Sequence, residues 1–157
     1  ILAELEASLK DLLAEGSLRI EVRRGLLVLV LPERFLFGSG EATLKGEAAT
    51  KLAKIAEALK NLSERRFLVA GHTDNVGLKA GGKYKSNWEL SQARALSVLD
   101  ALVKGGLKIG SVGTAGFAEF DPVAENDTDA GRAKNRRTEI VLIPDLTTLF
   151  ETVKAEK

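Results

Sequence analysis

Six consecutive aliphatic residues, Leu26-Leu27-Val28-Leu29-Val30-Leu31, end at Pro32 and constrain this chain more than any other stretch. The run is far too short to cross a bilayer, which takes about 20 apolar residues in a helix. It has no polar alternation, so it reads as a strand buried on both faces. Just upstream, Leu18, Ile20 and Val22 alternate with Arg19, Glu21 and Arg23, the pattern of a half-buried strand. Arg24-Gly25 between the two makes a tight turn. The pair is a hairpin whose second strand needs burial from the rest of the chain.

Two amphipathic segments can supply it. From Leu44 to Leu62, the residues Ala48, Leu52, Ile55, Leu59 and Leu62 recur at helical spacing. A second helix opens at Ser86-Asn87-Trp88-Glu89, where Ser86 and Glu89 have capping-box spacing, and stops at Gly105-Gly106. Its apolar stripe is assigned to Trp88, Ala95, Leu99 and Leu102, with Leu96, Val98 and Val103 at the margins. Further strands are expected at Phe67 to Gly71, Ser111 to Phe117 and Thr138 to Ile143. Phe35 to Gly40 is a loop with apolar anchors, and Glu119 to Asn135 is polar, with a short helical stretch around Gly131-Arg132-Ala133. Strands interleaved with helices predict an α+β fold: a two-layer α/β sandwich, with a mixed sheet carrying its helices on one face. The division expected is an N-terminal helix or stem over 1–16, a domain over 17–144 that begins with the hairpin, and a C-terminal extension over 145–157.

The length of 157 residues suits one domain. With 23 basic and 22 acidic residues the net charge is +1, which excludes the basic footprint of a nucleic-acid binder. There is no cysteine and one histidine, so no disulfide, no transition-metal site and no metal or other cofactor is expected. No methionine occurs, so Ile1 is expected not to be the encoded start, with a signal or membrane anchor removed upstream.

The chemistry concentrates after the strand Phe67 to Gly71, in Gly71-His72-Thr73-Asp74-Asn75-Val76. The following Gly77-Leu78-Lys79-Ala80-Gly81-Gly82-Lys83 matches G-x-x-x-x-G-K of a phosphate loop. Tyr84 stands where Ser or Thr must hold magnesium, and the helix starts several residues too late. The loop therefore reads as flexible and solvated. His72 and Asp74 sit two apart, but nothing ties Ser39, Ser86 or Ser91 to them as a nucleophile, so no catalytic residue is assigned. His72 is expected to be scaffold, bonded to nearby backbone. Asp74 leaves the strand, and Arg94 lies two turns into the next helix, at the edge of its apolar stripe. Facing one cleft, the pair binds a zwitterion, with ammonium on the carboxylate and carboxylate on the guanidinium; otherwise it is a plain Asp74–Arg94 ion pair. Asn126-Asp127 and Asn135-Arg136-Arg137 can add hydrogen bonds. Of the two arginines, one should turn to the cleft and the other to solvent.

Four ordered blocks carry a resemblance: Gly71-His72-Thr73-Asp74; Asn87 to Ala95, with its Asn-x-x-Leu-Ser-x-x-Arg-Ala pattern; Gly116 to Asn126; and Gly131 to Glu139. Over roughly residues 33 to 144 the chain resembles the OmpA-like peptidoglycan-binding domain. The loop Gly77 to Lys85 followed by Ser86-Asn87-Trp88-Glu89 is most similar to the MotB-like branch, the cell-wall anchors of flagellar stators. The resemblance implies a βαβαβ-type sandwich and a non-catalytic role: non-covalent grip on the diaminopimelate of the peptidoglycan stem peptide, without a cofactor. By position, Asp74 would take the ammonium and Arg94 the carboxylate. Asn87, Arg136 and the backbone near Thr73 would add hydrogen bonds, with Ser39, Leu90 and Asn126 as pocket wall. Where many members carry aspartate after the loop phenylalanine, Phe37 is followed by Gly38, so a contact from that loop falls to Ser39 or backbone. The implied setting is the periplasm or bacterial cell envelope, with the membrane reached only through an upstream anchor. The alternatives are a MotB-like stator anchor, or a nucleotide-dependent enzyme using Gly77 to Lys83. Leu2, Leu5, Leu9 and Leu12 leave two readings open: a coiled-coil stem that makes a homodimer, or a helix packed on its own domain.

Overall fold

The computed structural model describes residues 1–62 and 65–156, with backbone alone at 148–150. The elements in chain order are α1 (Leu2–Ser8), α2 (Lys10–Ala14), β1 (Arg19–Arg23), β2 (Leu26–Pro32), α3 (Ala48–Lys60), β3 (Arg66–His72), α4 (Asn87–Lys104), β4 (Val112–Gly116), α5 (Asp129–Asn135), β5 (Arg137–Ile143) and α6 (Thr147–Ala155). The strands form one mixed sheet in the order β1-β2-β5-β3-β4. Among the described residues only β3 and β4 run parallel. The hairpin turns at Arg24 (φ 54°) and Gly25 (φ 74°), two left-handed residues as a type I′ turn requires.

The sheet order positions the site. β5, last in sequence, inserts between β2 and β3 and runs antiparallel to both. Pro32 and His72 both register with Arg137. The exits of β2 and β3 and the entry to β5 therefore meet at one end of the sheet.

Alternation along the strands separates two faces. Leu29, Leu31, Phe67, Val69, Ile140 and Leu142 join Leu52, Ile55, Leu59, Val98 and Leu102 in a single core. Each such side chain contributes roughly 1.5–3 kcal/mol on burial. Val28 and Val30 are buried too, on the opposite face, so the apolar run is covered on both sides as its composition demanded. Gly71 and Gly116 let α4 lie close on β3 and β4: a Cβ on Gly71 would stand 2.1 Å from Ser91 O, and one on Gly116 2.7 Å from Gln92 N.

Four expectations change. The N-terminal helix breaks at Leu9 (φ −112°, ψ 19°), and Leu5, Leu9 and Leu12 pack into the chain's own core rather than forming a stem stripe. α3 begins at Ala48, because Leu44 pairs instead with Phe37 across a loop. The stripe of α4 is rotated: Trp88 and Leu96 are about half exposed, while Asn87, Leu90, Ser91 and Arg94 are buried. An apolar count misphases this helix because its polar residues are buried with hydrogen-bond partners. Arg137, offered to solvent as one alternative, is buried on the sheet.

Candidate functional site

At the end where β2, β3 and β5 meet lies an open cleft of about 830 Å³, lined by Thr73, Asp74, Asn87, Leu90, Arg94 and Arg136 among others. Ser39, exposed on the opposite loop, also lines it. Asn126 does not. Its amide oxygen instead accepts from Asn135 Nδ2 at 2.8 Å, and its carbonyl accepts from Arg132 Nη1 at 2.7 Å, inside the connection before β5.

Asp74 and Arg94 share the cleft without forming an ion pair. Arg94 lies against Glu33 Oε1 at 2.6 Å, Glu33 Oε2 against Arg136 Nε at 2.9 Å, and Arg136 Nη1 against Asp74 Oδ2 at 2.7 Å. Charges thus alternate along Arg94, Glu33, Arg136 and Asp74. Glu33 was not among the sequence candidates, since it follows Pro32 with no motif around it. The β2–β5 pairing brings it to Arg136, and α4 presents Arg94 from the other side.

Each charged group is fixed from behind. Arg94 donates from Nε to Glu41 O (2.8 Å) and from Nη2 to Gly38 O (3.1 Å), and its guanidinium lies 5.1 Å from the centre of the Phe37 ring. This anchors the loop after β2 and holds the guanidinium plane against rotation. Asp74 Oδ1 accepts from Val76 N at 3.0 Å. A carboxylate offers about four acceptor positions, so two bonds leave capacity for a ligand ammonium. Asn87 Nδ2 donates to Val76 O (3.1 Å) and Asp74 O (3.4 Å), clamping the turn that carries Asp74. Thr73 N donates to Ala118 O at 2.9 Å, and Ala118 N donates to Ser91 Oγ at 3.1 Å. Strand exit, following loop and helix are one bonded unit.

The Gly77 to Lys83 loop lines the cleft through Lys79, Lys83 and Gly77, and Tyr84 follows on the same wall. It is not a phosphate cradle. α4 starts only at Asn87, where Ser86 Oγ accepts from Glu89 N and Glu89 Oε2 accepts from Lys85 N. Those bonds take up donors that a phosphate would need. Among the described residues no group of three or more His, Asp or Glu is placed to hold a metal ion.

His72 stays out of the cleft. It is buried on the far face of the sheet, its ring stacked on Phe117 at 5.2 Å. Its expected backbone bond is not formed: Nε2 stands 3.4 Å from Glu139 Oε1, outside hydrogen-bond geometry. Burial lowers the His72 pKa below 6.5. Glu139 joins Arg137 and Arg23, each at 2.7 Å. Burial pushes the Glu139 carboxyl up, but His72 and the Arg137 guanidinium outweigh it and hold the pKa at about 2. This cluster ties the segment after β4 to the sheet, since Asp121 takes Arg23 at 2.7 Å and its carbonyl takes Arg137 at 3.0 Å.

A mixed open sheet with helices on one face, and a cleft at one end with an acid on the β3 exit and a base on α4, define an α+β domain with a charged cleft. The model of the OmpA family matches residues 36–136, and the chain belongs to that family. It is 32% identical to motility protein B of Bacillus subtilis over 90% of this chain and 54% of that protein. It is 38% identical to the peptidoglycan-binding protein ArfA of Mycobacterium tuberculosis over 68% of this chain and 31% of that one. Among solved structures, a putative MotB-like protein from Desulfovibrio vulgaris superposes with a TM-score of 0.83 at 29% identity, covering 91% of this chain and 88% of the other. The cell wall anchor of the T6SS from Pseudomonas aeruginosa gives 0.80 at 34% identity, covering 90% and 97%. The chain thus spans about half the length of motility protein B and a third of ArfA.

Proposed function

We propose that this chain binds peptidoglycan non-covalently and tethers an envelope protein to the cell wall, with no catalytic step. The ligand is the diaminopimelate of the stem peptide, held by its zwitterionic end. Asp74 takes the ammonium and Arg94 the carboxylate. Arg136 adds a hydrogen bond, Asn87 and Thr73 hold the Asp74 turn, and Leu90 and Ser39 form wall. The observation that carries this reading is the pair of opposite charges, Asp74 and Arg94, on two elements of one cleft and not neutralising each other directly. The cell-wall and peptidoglycan-binding relatives support it. We assign binding to residues 17–144, with α1 and α2 packed on that unit.

A second reading is a stator anchor of the MotB type, favoured by the match to motility protein B along 90% of the chain. The two share one binding chemistry and differ in what is joined upstream. A single membrane helix bearing an aspartate would mark the stator.

The test is co-sedimentation with isolated diaminopimelate-type sacculi. The parent should pellet, while Asp74→Ala and Arg94→Ala, each folded by circular dichroism, should stay in solution. Truncating one partner of a desolvated charge pair costs about 2–5 kcal/mol. If the parent stays in solution, or both folded variants pellet like the parent, the assignment is wrong.

A further inference from the structure

The cleft carries more positive charge than a zwitterion can use. Besides Arg94 and Arg136, five cations line it: Arg34, Lys45, Lys79, Lys83 and Arg132. Its acidic lining residues are Glu33 and Asp74. Those two acids are already engaged by Arg94 and Arg136. Arg132 pairs with Asp129. The remaining four have no carboxylate partner among the described residues. Lys45 Nζ donates to the Arg34 carbonyl at 2.8 Å, Arg34 lies over Phe35 and Lys83 over Tyr84. The chain as a whole is almost neutral, at +1, so this excess is local to the cleft.

The four come from two separate segments, Lys79 and Lys83 from the loop before α4, Arg34 and Lys45 from the loop after β2. A neutral zwitterion bound between Asp74 and Arg94 would leave all four uncompensated in a concave site, where fields of one sign reinforce. A ligand with further carboxylates would not.

We propose that the lysine loop is a second subsite that reads free carboxylates of the stem peptide beyond the diaminopimelate end, so that the cleft selects anionic stem peptides over amidated ones. This rests on the peptidoglycan reading and adds the chemical form of the peptide. Lys79 and Lys83 supply the selectivity. The side chains are exposed, so the gain comes from charge attraction rather than buried hydrogen bonds. It should fade with salt, because screening acts over about 10 Å at 0.1 M ionic strength.

The experiment titrates the whole chain with two soluble muropeptides that share the diaminopimelate end and differ at the glutamate α-carboxyl, free in one and amidated in the other. The free acid should bind about fivefold more tightly at low salt, as expected for one extra charge contact of about 1 kcal/mol at a wet site. The double variant Lys79→Gln, Lys83→Gln should bind both with the weaker affinity. Equal binding of the two muropeptides by the parent overturns the subsite, and so does a preference that survives in the lysine variant. If neither muropeptide binds, the peptidoglycan reading itself fails and takes this inference with it. A third arm uses a polyphosphate chain, which has charge but no diaminopimelate. Binding of that polymer as tight as the free-acid muropeptide, and unaffected by Arg94→Ala, would make the loop a general polyanion surface and overturn the peptide assignment.

Discussion

Glu33→Gln tests how the charges of the cleft are organised. Glu33 holds Arg94 at 2.6 Å and Arg136 at 2.9 Å, the places a ligand carboxylate would approach. A bound carboxylate about 5 Å from that of Glu33 would be repelled by ~1 kcal/mol in water and ~3 kcal/mol at an effective dielectric of 20. The cleft is open but Glu33 and Arg94 themselves are largely buried in it, so a value near 1.5 kcal/mol is reasonable, about tenfold in affinity. Glutamine keeps the shape and one acceptor, and Arg94 remains tied to Glu41 O, Gly38 O and the Phe37 face. The fold should lose only about 1.5–3 kcal/mol for one charge-assisted bond. Calorimetric titration with a diaminopimelate muropeptide, beside a urea melt, should therefore show a less stable protein that binds about tenfold more tightly. If the folded variant binds tenfold more weakly, Glu33 orients the arginines rather than competing with the ligand, and the reasoning is refuted.

Gly71→Ala puts a methyl 2.1 Å from Ser91 O, a backbone atom that can move only by displacing α4. Overpacking of this kind should cost about 3 kcal/mol or more in urea unfolding, and a loss under 1 kcal/mol would show that the helix shifts freely. Asn135 is fully buried, accepts from Val123 N and Ala124 N and donates to Ala124 O and Asn126 Oδ1, so Asn135→Ala strands several backbone groups and should destabilise by about 2–4 kcal/mol. Stability should also fall in acid. The Glu139 pKa of about 2 lies below its ordinary 4.5, so its contribution is complete above pH 4.5 and is lost, up to about 3 kcal/mol, as pH falls towards 2. His72, lowered by burial, adds a loss that begins as pH drops below 6.5. Urea midpoints unchanged from pH 7 to pH 3 would contradict both.

How far the sequence exposes this site depends on whether a residue's neighbours are near in the chain. The aliphatic run and its hairpin were legible because burial on both faces leaves composition no alternative, and the strand, helix, strand order after Arg66 follows from local periodicity. Asp74 and Arg94 were legible as a pair because a strand, a loop and a helix fold back on themselves. Three features were not. The phase of α4 was misread because hydrophobic counting leaves Asn87 and Ser91 out of the buried stripe and Arg94 only at its edge, whereas this helix turns all three inward to bond neighbouring loops. The role of Glu33 depends on β5, more than a hundred residues later, entering between β2 and β3 and delivering Arg136. The destination of Arg137 depends on the same insertion, because Glu139, Arg23 and Asp121 surround it only once the sheet is complete. In each case the hidden feature is a polar side chain whose burial is allowed by a long-range partner. At the cleft it is Glu33, held by Arg94 and Arg136, that turns the charges into a fixed array rather than a surface with a few ions on it.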